Sequence, residues 1–144
     1  MRREGRGFTL IEALIALTVC AVLATGAAYA VGSLGPRLRL RSGAWLVTSG
    51  LNQARVQAIL TGEARRVRFA APGLLHERYD ATAGRWEMTQ AVALPGVVVQ
   101  ANNAPIFHPQ GTVSDLATIS ISNARGGYRI TVAITGRIRT VRTG

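Results

Sequence analysis

The sequence predicts an α+β fold in which a long N-terminal hydrophobic helix packs on a C-terminal antiparallel β-sheet domain. An apolar run from Phe8 to Val31 is long enough to cross a bilayer as a helix. Apolar residues then recur at spacings of three and four from Leu40 to Ala58, which is the period of an amphipathic helix. From Ala64 onward the period becomes two, as in strands.

The helix is expected to cover residues 8–62, with an amphipathic second half. Gly35–Pro36 should kink or interrupt it, because proline has no N–H to donate and disfavours helix in the residue before it. Gly62 is a suitable C-cap. The apolar stripe must pack on another part of the chain, and we expect Trp45 and Trp86 to join that packing. The stripe consists of Leu40, Ala44, Val47, Leu51, Ala54 and Ala58.

Residues 63–144 are expected to form a β domain of six or seven short strands in one antiparallel sheet. Turn residues separate the alternating segments at Asp80–Gly84, at Asn123–Gly127 and at Thr135–Gly136. Between them, Ile119 and Ile121 alternate with serines, as in a half-buried strand.

The chain has 144 residues, with 17 basic residues, all arginine, against 7 acidic ones, and a net charge of +10. Such a charge favours acidic partners, namely anionic lipid, nucleic acid or acidic protein, without choosing among them. The single cysteine, Cys20, excludes an intrachain disulfide.

No catalytic site, metal site or cofactor is expected. His76 and His108 have no other ligand at metal-binding spacing. Asp80, Glu87 and Asp115 are too scattered in the sequence for a calcium loop. The motifs of nucleophilic, phosphate-binding and zinc enzymes are absent from the sequence, so we do not expect an enzyme.

Three interpretations compete for the N-terminal segment. The basic residues Arg2, Arg3 and Arg6 place the N-terminus in the cytoplasm and the rest of the chain across the membrane. The segment could be a secretory signal peptide, cleaved near Ala28–Ala30, an uncleaved anchor, or a leader cleaved before the apolar run. Glu12 separates them, since a carboxylate in hydrocarbon costs about 3 kcal/mol and only a segment that later pairs it has a use for it.

The residues Gly7–Glu12, G-F-T-L-I-E, resemble the N-terminal signature of type IV pilins and type II secretion pseudopilins. The resemblance implies a leader at residues 1–7, cleaved after Gly7 by prepilin peptidase, and N-methylation of Phe8. It also implies that Glu12 serves subunit assembly. The new amine of Phe8, on the same or a neighbouring subunit, is within reach of Glu12, because four residues of helix rise about 6 Å.

The C-terminal half resembles the GspH/FimT-type minor pilins. Phe107, Pro109 and Gly111 fit the F-x-P-x-G element of that family, and Gly136–Arg139 fits its terminal G-R-[IV]-R. The resemblance implies a pilin-like fold and a minor pseudopilin of a type II secretion pseudopilus. Such a protein is anchored in the bacterial inner membrane with its C-terminal domain in the periplasm, and its partners are prepilin peptidase and other pilins or pseudopilins.

Five arginines cluster towards the C-terminus, and two interpretations of them stay open. They form a solvated edge strand whose charges block pairing with other sheets, or they bind phosphates. The second is implied by FimT-type minor pilins, in some of which the G-R-x-R element is associated with DNA uptake. The candidate DNA-binding residues are Arg125, Arg129, Arg137, Arg139 and Arg142.

Overall fold

The structure, a computed structural model, describes residues 9–71 and 73–144. The chain divides into two compact units, Met1–Gly35 and Pro36–Gly144. One helix, α1, is assigned from Leu10 to Thr61, and nine strands follow it in the described residues. The strands are β1 (Arg65–Ala70), β2 (Gly73–Asp80), β3 (Arg85–Ala93), β4 (Val98–Ala101), β5 (Ile106–Phe107), β6 (Val113–Ser114), β7 (Thr118–Asn123), β8 (Gly126–Val132) and β9 (Ile138–Thr143).

The part of α1 in the second unit buries the stripe that the sequence predicts. All six stripe residues, from Leu40 to Ala58, are buried, and Val47 and Leu51 are fully so. The helix ends at Gly62, which has a φ of 69° and donates its N–H to the carbonyl of Ala58 at 3.1 Å. The predicted C-cap is therefore confirmed, because only glycine adopts this left-handed conformation without strain.

Pro36 lies inside α1, so the helix is not interrupted at Gly35–Pro36, which was one of the two outcomes expected there. A proline costs a helix interior about 3 kcal/mol. The packing of the stripe beyond Leu40 outweighs that cost, and the side-chain amide of Asn123 donates to the Pro36 carbonyl at 2.7 Å. The boundary between the two units nevertheless falls between Gly35 and Pro36, the residues at which the sequence predicts a kink or an interruption.

The strands form two antiparallel sheets, not the single sheet expected from the sequence. Sheet A has the order β3-β2-β1-β5-β6, and sheet B has the order β4-β7-β8-β9. The chain leaves sheet A after β3 and enters sheet B at β4, across a turn at Pro95–Gly96. The two-residue strands β5 and β6 are too short to produce a period-two pattern, which is why the sequence did not reveal them. The α+β prediction itself is confirmed.

One hydrophobic core joins α1 to both sheets. Val67, Leu74 and Phe107 contribute from sheet A, and Ile121 and Ile130 from sheet B. Every buried hydrophobic residue in the described part of the chain lies in the second unit. The core of the described residues therefore lies entirely within 36–144, and we expect this fragment to fold on its own.

His76 is a polar residue inside this core. It lies on β2, is 4% exposed, and its Nε2 has no hydrogen-bond partner. Gly50 of α1 lets the helix approach, because a Cβ at that position would lie 3.2 Å from His76 Nε2. Burial, aided by the positive charge of Arg65, lowers the pKa of His76 below its ordinary value. The imidazole is therefore neutral in the folded protein near pH 7.

We predict that acid destabilises the fragment 36–144 through His76. As the pH falls through about 6.5, His76 takes up a proton in the unfolded chain but stays neutral in the folded chain. The contribution of neutral His76 to the free energy of unfolding is therefore fully present above this pH and decreases below it. Urea unfolding at pH 7.5 and pH 5.5 should show that His76→Leu loses up to about 1 kcal/mol less than the parent over this interval. Equal losses in the two proteins would contradict this role of His76.

Candidate functional site

The N-terminus of α1 carries Glu12 in its first turn. The backbone N–H of Glu12 donates to Thr9 Oγ1 at 3.3 Å and to the Thr9 carbonyl at 3.1 Å, so Thr9 is the N-cap. The spacing of Thr9 and Glu12 is that of a capping box, which marks the start of a helix in the sequence as well. Gly7 and Phe8, the predicted cleavage and methylation sites, lie outside the described residues.

Glu12 lies in a helix segment on which no other described part of the chain packs. Residues 10–27 have a mean hydropathy of 2.2, are long and apolar enough to cross a membrane, and are exposed throughout. Ile11 and Ile15, which flank the carboxylate, are 67% and 58% exposed. None of the ion pairs among residues 9–71 and 73–144 involves Glu12. An apolar surface of this size needs a bilayer or other helices around it.

The ion pairs of the described residues all lie on or beside sheet A. Glu77 is 5% exposed and accepts from Arg66 Nε at 2.6 Å and from Arg68 Nη2 at 3.1 Å. The guanidinium of Arg66 also stacks 4.4 Å from the ring centre of Trp86. The remaining pairs join Arg65 and Arg78 to Glu63, and Arg78 and Arg85 to Glu87. The arginines of sheet A are thus largely neutralised within the chain.

Sheet B carries arginines without acidic partners. Its four strands contain no Asp or Glu, and no ion pair of the described residues involves its arginines. All five candidate residues, Arg125, Arg129, Arg137, Arg139 and Arg142, are exposed. Positive charge is therefore concentrated on one of the two sheets, which the sequence order alone does not reveal.

The register of sheet B brings two of the five arginines together, and a third immediately precedes the same strand. Arg129 lies opposite Val141 and Thr131 lies opposite Arg139, so Arg129 and Arg139 are diagonal neighbours on one face, with Cα atoms roughly 7–8 Å apart. This is the outer face, because the alternate residue Ile130 is buried. Arg137 immediately precedes β9 at the same edge, where its carbonyl accepts from Ala133 N–H at 2.9 Å. We call Arg129, Arg137 and Arg139 the basic face.

The other two candidates lie elsewhere on sheet B. Arg125 is in the two-residue turn between β7 and β8, where its N–H donates to Asn123 Oδ1 at 2.9 Å. Arg142 lies opposite Tyr128 in the register. It is three residues from Arg139, and side chains alternate between the faces of a strand, so Arg142 lies on the face opposite to Arg139, which is the helix side. Tyr128 itself packs against the core and is not a stacking platform on the basic face.

Chemically, the basic face is suited to binding a chain of phosphates. Guanidinium forks match the geometry of phosphate oxygens, and neutralising phosphates releases counterions without reading sequence. With no aromatic side chain beside it in sheet B, the face offers charge but no base stacking.

The structure corrects one prediction about tryptophan and adds one residue that the sequence did not single out. Trp45 is 67% exposed, so the expectation that it packs in the core is wrong; the buried stripe passes through its neighbour Ala44. Trp86 is partly buried between Arg66 and Tyr79. The additional residue is Arg55 of α1, which contacts the turn before β9. No motif or periodicity around Arg55 in the sequence predicts this contact.

The acidic residues considered as calcium ligands do not come together. Asp80 accepts the N–H groups of Ala83 and Thr82 in the β2–β3 turn, which holds the pKa of its carboxyl below the ordinary value. Within residues 9–71 and 73–144, no three His, Cys, Asp or Glu side chains are grouped as metal ligands.

Sequence comparison identifies the N-terminal segment. Residues 2–28 match the family described as the prokaryotic N-terminal methylation motif, a range that includes Gly7–Glu12. No curated protein sequence matches the chain.

Structural comparison identifies the fold. The chain is similar to the minor pseudopilin EpsH of the type 2 secretion system of Vibrio cholerae, with a TM-score of 0.61, 20% identity, and coverage of 72% of this chain and 97% of that one. It is also similar to the type IV minor pilin FimU of Pseudomonas aeruginosa, with a TM-score of 0.58, 18% identity, and coverage of 71% and 92%.

At these identities the similarity establishes the fold and nothing finer. Together, the motif and the fold confirm the resemblance to minor pseudopilins and minor pilins that the sequence predicted. A methylation motif that continues into an exposed apolar helix fits a pilin-like protein anchored in the inner membrane.

Proposed function

We propose that this chain, which joins an N-terminal methylation motif to the fold of minor pseudopilins and minor pilins, assembles through its N-terminal helix into a type II secretion pseudopilus. The observation that carries the proposal is Glu12, a carboxylate within the motif and in the first turn of an exposed apolar helix. A lone anchor gains nothing from it, whereas a subunit that meets a cation in a filament does.

The cation is the amine that processing creates at Phe8. Prepilin peptidase cleaves after Gly7 on the cytoplasmic side, and Phe8 is then methylated. In the low dielectric of the membrane or the filament, an isolated ammonium and an isolated carboxylate are both costly. A neighbouring subunit, displaced along the filament so that its Phe8 amine meets Glu12, satisfies both groups and fixes the register.

The proposed arrangement of the chain follows from its charges and its core. Residues 1–7 form the leader, residues 8–62 the membrane and filament-core helix, and residues 63–144 the β domain. Arg2, Arg3 and Arg6 keep the N-terminus in the cytoplasm, which leaves the β domain in the periplasm. The partners are the other pilins or pseudopilins of the same system.

Fibre incorporation tests this function. The full chain, with an epitope tag, is produced together with the pilin-type proteins of its own genome, and fibres are separated from membranes. The tagged chain should co-purify with the fibres in a processed form. Its complete retention in the membrane as a single subunit would refute a role in assembly.

The basic face favours a second candidate function, capture of DNA for uptake by a FimT-like minor pilin. The supporting observation is the separation of charge: the arginines of sheet A have glutamate partners, and those of sheet B have none in the described residues. The fragment 36–144 should bind duplex DNA at low salt and release it as salt rises. No binding at low salt would end this candidate while leaving the assembly function intact.

A further inference from the structure

Arg55 reaches from α1 to the turn that precedes β9. Its Nη1 donates to the carbonyl of Gly136 at 3.2 Å, and its Nη2 donates to the carbonyl of Thr135 at 3.2 Å. Its Nε is buried and has no hydrogen-bond partner. A buried donor without a partner is unfavourable, so an apolar residue would pack here at lower cost if packing were the only requirement. The forked donation to two consecutive carbonyls is what an apolar residue could not provide.

Gly136 allows the guanidinium of Arg55 to approach the backbone closely. Its φ is 75°, and a Cβ at this position would lie 2.6 Å from Arg55 Nε and 2.8 Å from the carbonyl oxygen of Gly111. Both the backbone conformation and the space therefore require glycine. The glycines of the two C-terminal sequence elements, F-x-P-x-G and G-R-I-R, thus meet beside one arginine of the helix.

The clamped turn leads directly into the basic face. Gly136 N–H donates to the Ala133 carbonyl at 2.8 Å, and Ala133 N–H donates to the Arg137 carbonyl at 2.9 Å. The strand that follows, β9, is an edge strand with β8 as its only neighbour in sheet B. Edge strands fray from their ends unless something holds them. Arg55 holds the end at which Arg137 lies.

We propose that Arg55 is the positioning residue of the basic face: it fixes the turn at Thr135–Gly136 so that Arg137 and Arg139 present their charges from one rigid edge. The proposal rests on the second candidate function, the binding of DNA. Arg55 contacts no phosphate in this scheme, and its guanidinium is occupied by the two carbonyls. Its effect on binding is exerted through Arg137.

Two measurements on the fragment 36–144 test the proposal. Amide hydrogen exchange should be faster at Ala133 and Gly136 in Arg55→Met, while the amide of Ile121, in the centre of sheet B, keeps its protection. Anisotropy of a fluorescent duplex of about 20 base pairs should show weaker binding, by about eightfold near 0.1 M salt, with a salt slope smaller by about 0.9. These are the losses expected for one phosphate contact.

Two variants serve as controls. Arg41→Met removes one exposed helix arginine about 21 Å further along α1, beyond the Debye length, so it should change affinity by less than about twofold. Arg55→Lys keeps the charge but offers a single nitrogen, and its affinity should lie between those of the parent and Arg55→Met.

The outcomes separate the two proposals. Arg55→Met could show faster exchange at the turn but bind DNA with the same affinity and salt slope as Arg41→Met. That result would show that Arg55 is only structural and would overturn its positioning role. Unchanged exchange in both Arg55 variants would overturn the clamp itself. If the parent fragment binds no DNA, both the DNA function and the positioning role fail, and the assembly function is untouched.

Discussion

Glu12→Ala should insert into the membrane as well as the parent but enter fibres about 100-fold less. The carboxylate costs about 3 kcal/mol in hydrocarbon, so its removal does not hinder insertion. In the filament, its loss leaves the amine of a neighbouring Phe8 without a partner. Removing one member of a buried ion pair costs about 3–5 kcal/mol, and each 1.4 kcal/mol is a factor of ten. Quantitative blotting of fibre and membrane fractions measures the effect.

Two further variants decide whether charge is the cause. Glu12→Gln keeps the polarity and size of the side chain without its charge, and it should fail nearly as badly as Glu12→Ala. Thr18→Ala removes a polar group whose hydroxyl donates to the Ile15 carbonyl of its own helix at 2.8 Å, so it should assemble normally. Normal assembly of both Glu12 variants would contradict the role of the carboxylate in assembly and would leave the segment as a membrane anchor only.

Replacing Arg137 and Arg139 together with glutamine should weaken duplex binding by the fragment 36–144 about sixtyfold near 0.1 M salt. Two phosphate contacts are lost, and each contributes about 0.9 to the slope of log K against log salt. The slope should therefore fall by about 1.8. Binding should be uniform across DNA sequences, because the basic face offers guanidinium groups and no base-reading pattern.

Arg37→Gln with Arg41→Gln provides the matched control. It removes the same charge from two exposed positions of the same unit, at the end of α1 that contacts Asn123 and not at the turn before β9. If binding depends on the basic face, this control should weaken it far less and leave most of the salt slope. Equal losses in the two double variants would mean that net charge, and not the face, attracts DNA.

The parts of the fold that depend on local periodicity were predictable. Leu40 to Ala58 follow the helical period, and every member of the predicted stripe is buried. Gly62 ends the helix because glycine alone takes its φ without strain, and the turn at Asp80–Gly84 is held by the Asp80 carboxylate. Each of these features depends on residues close together in the chain.

The features that the sequence missed depend on tertiary packing. Pro36 stays helical because packing beyond Leu40 outweighs its cost, and the division into two sheets depends on which strands pair at long range. Trp45 is exposed because the buried stripe passes through its neighbour Ala44. The general tendency of tryptophan to be buried does not show on which face of the helix this residue lies. Local pattern sets the elements, and the pairing between them is a property of the whole chain.

The candidate site shows the same division. The methylation motif and Glu12 are contiguous, so the sequence could single them out, and the N-terminal family match covers them. The basic face depends on the register between β8 and β9, which selects Arg129 and Arg139 and sends Arg142 to the other side. Arg55 precedes Thr135, in the turn that it contacts, by 80 residues, and no local pattern marks it.

Mass spectrometry of the N-terminal peptide of the protein isolated from its native membrane tests the central claim most directly. A filament subunit with Glu12 as the partner of a processed amine requires a chain that begins at Phe8 and carries a methyl group on its α-nitrogen. That result is the one we predict. A chain that begins at Met1, or at Val31 after cleavage as a signal peptide, would contradict it.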